Sequence, residues 1–225
     1  MQANYVQRLR FSFSKIGPTR YIGHLDLART LERALNRAEI PIAYTQGFNR
    51  RPRLSLAGAL PLGYTSEAEL ADIWLAERVE PELVREQMMR TMAPGIVIHH
   101  VAEVPLSAPS LQSATVSGTY EVTLLDPVDL AALEKRVADF LDAETLIRER
   151  QQGRKGKVKQ YDLRPLVYRL SVEHAADGTV KLIMEVSLLP GETGRPDEIL
   201  MELGLDPLAA RIHRTQLVVA DEQLS

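Results

Sequence analysis

The stretch Arg8-Leu-Arg-Phe-Ser-Phe-Ser-Lys15 opens the fold, because its apolar residues alternate with polar ones. An alternation with a period of two is typical of a β-strand that buries one face. The residues that follow change to helical spacing, with apolar side chains at Leu25, Ala28, Leu31, Leu35 and Ala38. That spacing predicts an amphipathic helix over 25–39, directly after the first strand.

The elements after this helix predict the fold class. Short strands are expected at 40–44, 54–60 and 70–76, followed by a helix from Pro81 and a strand at 96–101. The order strand, helix, strand, strand, helix, strand is the ferredoxin-like arrangement, in which two helices cover one face of an antiparallel sheet.

The second half of the chain repeats this order after a Pro- and Ser-rich linker at 104–113. Its expected elements are a strand at 119–125, a helix started by Asp126-Pro127, a hairpin of strands 163–172 and 180–188, a short helix from Pro196 and a strand at 213–219. We therefore predict an α+β fold of tandem ferredoxin-like domains. The N-terminal domain would span 1–105, and the C-terminal domain would span 106–225 and carry a basic hairpin.

The composition limits the possible classes of function. The 225 residues contain no Cys, which excludes disulfides, thiolate zinc sites and cysteine-bound iron–sulfur clusters within the chain. No window approaches the roughly 18 apolar residues of a membrane helix, so we expect a cytoplasmic protein. The net charge of -3 is unevenly distributed, because residues 1–60 hold 10 Lys and Arg against 3 Asp and Glu.

This basic N-terminal end contains the first candidate site. Arg29, Arg33 and Arg37 recur every four residues, which places them on one exposed helix face. The loop Tyr44-Thr-Gln-Gly-Phe-Asn-Arg-Arg-Pro-Arg53 adds Phe48, Arg50, Arg51 and Arg53. Arginines that bind phosphates, next to an aromatic ring on which an unpaired base can stack, predict an RNA-binding surface.

A second basic cluster lies about a hundred residues further along the chain. It contains Arg154, Lys155, Lys157 and Lys159 and is predicted to form a hairpin tip. Charged runs are usually only solvated, but binding sites for polyanions are assembled from several such pieces. We therefore count these four residues as RNA-binding candidates and expect the two clusters to form one surface.

His24 is the candidate for catalysis, because it lies between a predicted strand and a predicted helix, two residues from Asp26. A neutral imidazole in this place can act as a general base, although His24 and Asp26 also fit a simple helix cap, which we favour. Tyr161-Asp-Leu-Arg164 superficially resembles the Asp-centred site of pseudouridine synthases, but Asp is also a common turn residue.

Metal and cofactor sites are not expected. His99 and His100 are consecutive on a predicted strand, so their side chains point to opposite faces unless a bulge intervenes. The sequence also contains no phosphate-binding loop of the GxxxxGK[ST] or GxGxxG type.

Several blocks of the sequence together resemble the bacterial DUF2344 family, the radical SAM-linked proteins. They are Phe11 to Asp26, Arg29 to Ala38, Tyr44 to Arg53, Leu60 to Glu69, Gly194 to Glu198 and Ile212 to Thr215. Members are fused to, or encoded beside, B12-binding-type radical SAM proteins, often near a ribonuclease E/G-like gene, which implies a role around RNA. Where the family has Gly-Phe-Asn-Pro-His-Pro-Lys, this chain has Gly-Phe-Asn-Arg50-Arg51-Pro-Arg53, so two arginines replace Pro and His.

Three hypotheses of function follow. The first is a non-catalytic RNA-binding module that presents an RNA substrate to a partner enzyme, a radical SAM protein according to the resemblance. The second is a metal-independent enzyme that processes or modifies RNA with His24, and it rests on fold analogy. The third is an adaptor whose basic face meets an acidic protein rather than nucleic acid.

Overall fold

A computed structural model of the chain describes residues 5–46, 48–152, 157–174 and 178–220. The chain divides into two units, the first formed by residues 1–115 and 216–225 and the second by residues 116–215. Both contain helices and antiparallel strand pairs, so the architecture is mixed α/β with a large, mostly antiparallel sheet. Within the described residues, no helix is long and apolar enough to cross a membrane.

The first unit contains most of the elements predicted for the N-terminal half, but the strand expected at 54–60 is shorter and those expected at 70–76 and 96–101 are longer. Its elements in chain order are β1 (Gln7–Lys15), α1 (His24–Arg37), β2 (Leu54–Leu56), β3 (Thr65–Leu75), α2 (Pro81–Thr91), β4 (Ile96–Val104) and α3 (Leu111–Ala114). β1 lies between β3 and β4 and pairs antiparallel with both, whereas β2 pairs with β3. The strand expected at 40–44 is reduced to two isolated bridges, Ile42 with Leu75 and Tyr44 with Pro52.

β1 is far more buried than a strand with one solvated face, which corrects the expectation from its alternation. Eight of its nine residues are buried, including Arg8, Arg10 and Lys15. Both faces of the strand are covered, because Arg8 and Arg10 are enclosed with the buried Asp72 and Arg8 is bound by the segment at 108–109. Leu9, Phe11 and Phe13 point into the hydrophobic core.

The apolar face of α1 also differs from the predicted stripe. Leu27, Leu31 and Leu35 are buried in the core of the first unit, whereas Leu25 is 72% exposed. The buried residues are spaced four apart and therefore lie on one side of the helix, while Leu25, two residues before Leu27, lies on another. The arginine side of α1 is exposed, as the sequence predicts.

The two consecutive histidines both belong to the exposed side of β4. The pairing of β1 with β4 shifts register between Ser12, which faces His100, and Phe13, which faces Ile98. His99 is thus the extra residue of a bulge, which allows both imidazoles to be exposed. Among the described residues, no group of three or more His, Asp or Glu side chains is arranged to hold a metal ion.

The second unit holds most of the remaining elements. They are β5 (Thr115–Leu124), α4 (Leu130–Asp142), β6 (Ile147–Gln152), β7 (Lys157–Asp162), β8 (Val167–His174), β9 (Val180–Leu189), β10 (Glu192–Thr193), α5 (Pro196–Glu202) and β11 (Ala210–Val219), whose last residues belong to the first unit. β9 pairs antiparallel with β5, β8 and β10. β6 and β7 form a separate two-stranded hairpin.

α4 starts later than its sequence predicts. The expected start at Asp126-Pro127 is wrong, because the N-cap is Asp129, whose Oδ1 accepts a hydrogen bond from the Ala132 amide at 3.1 Å. The helix then buries Leu133, Val137 and Phe140. The predicted hairpin of β8 and β9 is present, although Asp177 of its turn lies outside the described residues.

Candidate nucleic-acid interface

The loop between α1 and β2 is held at its base by backbone hydrogen bonds. The Thr45 amide donates to the Arg51 carbonyl at 2.8 Å, and the Arg51 amide donates to Thr45 Oγ1 at 3.1 Å. One step further down, the Arg53 amide donates to the Ala43 carbonyl at 2.7 Å. These bonds close the base of the loop, and Phe48, Asn49 and Arg50 lie beyond it at the tip.

Tyr44 joins this loop to α1. Its hydroxyl hydrogen-bonds to Asn36 Oδ1 at 3.0 Å. Asn36 lies three residues after Arg33, and residues at this spacing are neighbours on a helix surface. The bond therefore places the base of the loop next to the arginine face of the helix.

The tip of the loop exposes an aromatic ring and two cations. Phe48 has a relative accessibility of 105%, so it packs against nothing in the described chain. Arg50 and Arg51 are exposed as well, and neither guanidinium has an ion pair or hydrogen bond with a described residue. The tip thus offers a free ring and free positive charge, which is the combination that predicted RNA binding.

The arginine face of α1 is exposed but is partly neutralised. Arg29 forms an exposed ion pair with Asp26 at 3.2 Å, and Arg37 donates to the Thr91 carbonyl at 2.6 Å. Arg33 is exposed between them and makes no ion pair with a described residue. Arg33 is therefore the arginine of this face without an ion pair or hydrogen bond to a described residue, and it lies one helical turn before Asn36.

Arg53 differs from the other loop arginines because it packs between aromatic rings. Its guanidinium lies 4.4 Å from the ring centre of Tyr5 and 4.9 Å from that of Trp74. Arg8 approaches the same Trp74 ring at 4.9 Å. Cation–π contacts of this kind hold Arg53 in place, so it anchors the loop to the sheet.

Beneath this stack lies a buried ion cluster that the sequence did not reveal. Arg8 and Arg10 both donate to the carboxylate of Asp72, which is completely buried. Arg8 also donates to the carbonyls of Ala108 and Pro109, at 2.6 and 2.8 Å, and so fixes the predicted linker. The two guanidiniums thus share the carboxylate of Asp72.

His24 is the first residue of α1 and is half-buried. The N-cap is Gly23, which has no side chain, and Asp26 engages Arg29, so the favoured reading of His24 and Asp26 as side-chain caps does not hold. The Asp162 carboxylate, by contrast, has the expected turn role, because its Oδ1 accepts from the amides of Leu146 and Arg164 at 2.8 and 3.0 Å.

The second basic cluster is described only in part. Arg154 and Lys155 lie outside the described residues, and for Lys157 only the backbone, in β7, is described. Lys159 is exposed on the same strand. The expectation that the two clusters form one surface therefore stays a prediction.

The β6–β7 hairpin also carries a network that sequence reasoning missed. Arg150 donates to both carboxylate oxygens of Glu198, at 3.2 and 2.7 Å, and its guanidinium lies 4.6 Å from the Tyr161 ring. The Tyr161 hydroxyl donates to Glu198 as well. Burial, followed by this bond to Glu198, raises the pKa of Tyr161 to about 12. The sequence signal was present in Gly194 to Glu198, one of the blocks of family resemblance.

One solved structure supports the mixed α/β fold. The chain is similar to one in the crystal structure of a Cbf5-Nop10-Gar1 complex, with a TM-score of 0.51 and 12% identity, over 95% of this chain and 50% of that chain. The crystal structure of the archaeal box H/ACA sRNP Nop10-Cbf5 complex gives a TM-score of 0.45 and 11% identity, over 93% of this chain and 48% of that chain. The chain thus spans about half the length of the solved chains it matches.

Sequence comparison gives the family. No curated protein matches the chain in sequence. The family model described as an uncharacterized protein conserved in bacteria, DUF2344, matches residues 8–196. This match includes α1, the loop with Phe48 and the β6–β7 hairpin, and the chain therefore belongs to the DUF2344 family.

Proposed function

We propose that this protein is an RNA-binding accessory module that presents an RNA substrate to a partner enzyme. The observation that carries the proposal is the loop tip, where a fully exposed Phe48 stands beside the exposed, unneutralised Arg50 and Arg51. The family resemblance supports a radical SAM protein as the partner.

The chemistry of the tip favours single-stranded RNA over other polyanions. An exposed phenyl ring contributes nothing to the stability of the chain, but it can stack on an unpaired base, which is worth about 1–3 kcal/mol per base. Arginines next to the ring reach the phosphates on either side of such a base. An acidic protein surface would use the arginines but has no planar base for the ring.

Contacts on either side of the tip hold the base of the loop in place before RNA binds. The hydrogen bond from Tyr44 to Asn36, the backbone bonds at 45–51 and the stacked Arg53 hold the loop before any ligand arrives. Preorganisation of this kind reduces the entropy lost on binding. It also keeps Arg33 of α1 beside the loop, where it can contact a further phosphate.

The experiment compares three variants in binding to single-stranded RNA across a salt series. Phe48→Ala should weaken binding by about 1–3 kcal/mol and leave the salt dependence unchanged, because it removes stacking only. The double variant Arg50→Gln/Arg51→Gln should flatten the salt dependence by about 0.7 for each lost phosphate contact. The matched control is Arg85→Gln/Arg90→Gln, which removes the same charge from arginines already paired with Glu82 and Glu86 on α2. If the control weakens binding as much as the loop variants, the loop is not the site.

We also propose that the chain is a tandem of ferredoxin-like domains at 1–105 and 106–225. The order β1, α1, β2, β3, α2, β4 and the central place of β1 between β3 and β4 support the first domain. The order β5, α4, β8, β9, α5, β11 supports the second, with the β6–β7 hairpin inserted between α4 and β8.

A further inference from the structure

The second unit contains a cavity of about 420 Å³ beside the β6–β7 hairpin. Its lining includes the basic Arg150 and Lys159, the aromatic Tyr161 and Tyr168, the acidic Asp162 and Glu192, and Thr193. Its volume lies within the range of about 300–1,000 Å³ that is usual for small-ligand sites. None of these residues belongs to the loop at Phe48.

One side of the cavity is fixed by the network around Glu198. Arg150 is held by Glu198 and donates to the Thr193 carbonyl at 3.3 Å, so its charge is already neutralised. The Tyr161 ring lies under Arg150, and its hydroxyl is bound to Glu198. These groups form one wall of the cavity and orient one another. A ligand would therefore contact other residues of the lining.

The groups that we assign to the ligand are a cation, a ring and a carboxylate oxygen, and the exposed carboxylate of Glu192 also lines the cavity. Lys159 is exposed and forms no ion pair with a described residue, and Tyr168 is 50% exposed. Asp162 accepts hydrogen bonds from the amides of Leu146 and Arg164 with Oδ1, which leaves Oδ2 as an acceptor. A ligand that satisfies all three needs an anionic group, a flat ring and N–H donors on that ring.

We propose that this cavity binds a nucleoside monophosphate, with its base against Tyr168, its phosphate on Lys159 and the N–H groups of the base towards Asp162. Each contact uses known chemistry, since bases stack on aromatic side chains and lysine binds phosphate as a point charge. The same chemical unit exists as a free nucleotide and as one unpaired nucleotide of an RNA strand. The site is independent of the RNA surface proposed at Phe48.

The test titrates the full chain by calorimetry with each of the four ribonucleoside 5′-monophosphates, the corresponding nucleosides and inorganic phosphate. At least one monophosphate should bind saturably and more tightly than its nucleoside. Tyr168→Ala should weaken that affinity about tenfold, whereas Tyr168→Phe should retain it, because only the ring is needed for stacking. Lys159→Gln should remove the difference between monophosphate and nucleoside. Lys135→Gln, on an exposed α4 lysine paired with Asp139, is the matched control and should change nothing.

The outcomes distinguish a free nucleotide from an unpaired nucleotide of an RNA strand. They also distinguish this proposal from the RNA binding proposed at Phe48. Competition by a short single-stranded RNA at lower concentration than the free nucleotide identifies the RNA strand as the source, and the reverse order identifies the free nucleotide. The variant Arg50→Gln/Arg51→Gln should bind monophosphates as the wild type does, whatever happens to its RNA binding. Absence of saturable binding by every monophosphate, or binding that is unaffected by both Tyr168→Ala and Lys159→Gln, would overturn the proposal.

Discussion

Asp72 joins two buried arginines of the first unit in one ion cluster. Arg8 and Arg10 are 2% and 9% exposed, and both ion pairs end on this one carboxylate. A buried charge whose partner is removed costs about 3–5 kcal/mol. We therefore expect Asp72→Asn to lower the free energy of unfolding by about that amount, measured by urea denaturation.

An exposed ion pair in the same unit provides the control for Asp72. Glu82 pairs with Arg85 on α2, and its side chain is 64% exposed. Exposed pairs contribute about 0–1 kcal/mol, so Glu82→Gln should change the urea midpoint little. Equal effects of Asp72→Asn and Glu82→Gln would show that burial of the arginine cluster does not stabilise the fold.

Tyr161 gives a prediction for alkaline pH. Its pKa is raised from 10.0 to about 12, first by burial and then by its bond to Glu198. Because the folded state retains the proton longer than the unfolded state, the stabilising contribution is complete below pH 10 and is lost as the pH rises towards 12. An ultraviolet titration of tyrosine ionisation should show one late step that is missing in Tyr161→Phe. A late step that persists in the variant would assign it to another tyrosine.

At the scale of elements, the turn that joins α2 to β4 depends on Gly95. This residue has φ 92°, and its carbonyl accepts hydrogen bonds from the Ile16 amide at 2.8 Å and from Thr19 Oγ1 at 3.2 Å. A Cβ at Gly95 would lie 2.5 Å from the Ile16 carbonyl oxygen. Gly95→Ala should therefore force the end of β1 away from the start of β4 and destabilise the protein, as measured by thermal unfolding.

Gly63 provides a control that distinguishes backbone strain from the close contact as the cause of the instability expected for Gly95→Ala. Its φ is 88°, close to that of Gly95, but an added Cβ would meet no atom within 4 Å. Gly63→Ala thus reports the backbone strain alone, and Gly95→Ala should cost about 1–3 kcal/mol more because of the close contact. Similar losses in the two variants would mean that the contact at Ile16 is relieved without cost.

At the scale of the whole molecule, the proposed function predicts that the protein binds RNA without cleaving or modifying it. Asp26, the carboxylate nearest to His24 in sequence, forms an exposed ion pair with Arg29. We expect a bound single-stranded RNA to remain intact on a denaturing gel, without added metal, and His24→Ala to keep the wild-type affinity. Products that form with the wild type and disappear with His24→Ala would establish the enzymatic alternative.

The sequence by itself determined the features that depend on local spacing and local composition. The sequence predicted β1 from its alternation and α1 from its helical spacing, because these periods are properties of neighbouring residues. The excess of positive charge at 1–60 follows from composition alone. The family resemblance also came from short contiguous blocks. The match over 8–196 confirms the DUF2344 family, whereas the link to radical SAM proteins stays a prediction. An exposed Phe48 followed from its place among glycine, asparagine and arginines in a turn.

Only the tertiary structure decided which charged residues are available to a ligand. Arg8, Arg10 and Arg53 look as basic as Arg50 and Arg51 in the sequence, yet the first two share a buried Asp72 and the third lies between two rings. The network of Arg150, Tyr161 and Glu198 was likewise hidden, because its members are up to 48 residues apart. The physical reason is common to these cases. The availability of a charge depends on partners that are distant in the chain, and local spacing carries no information about them.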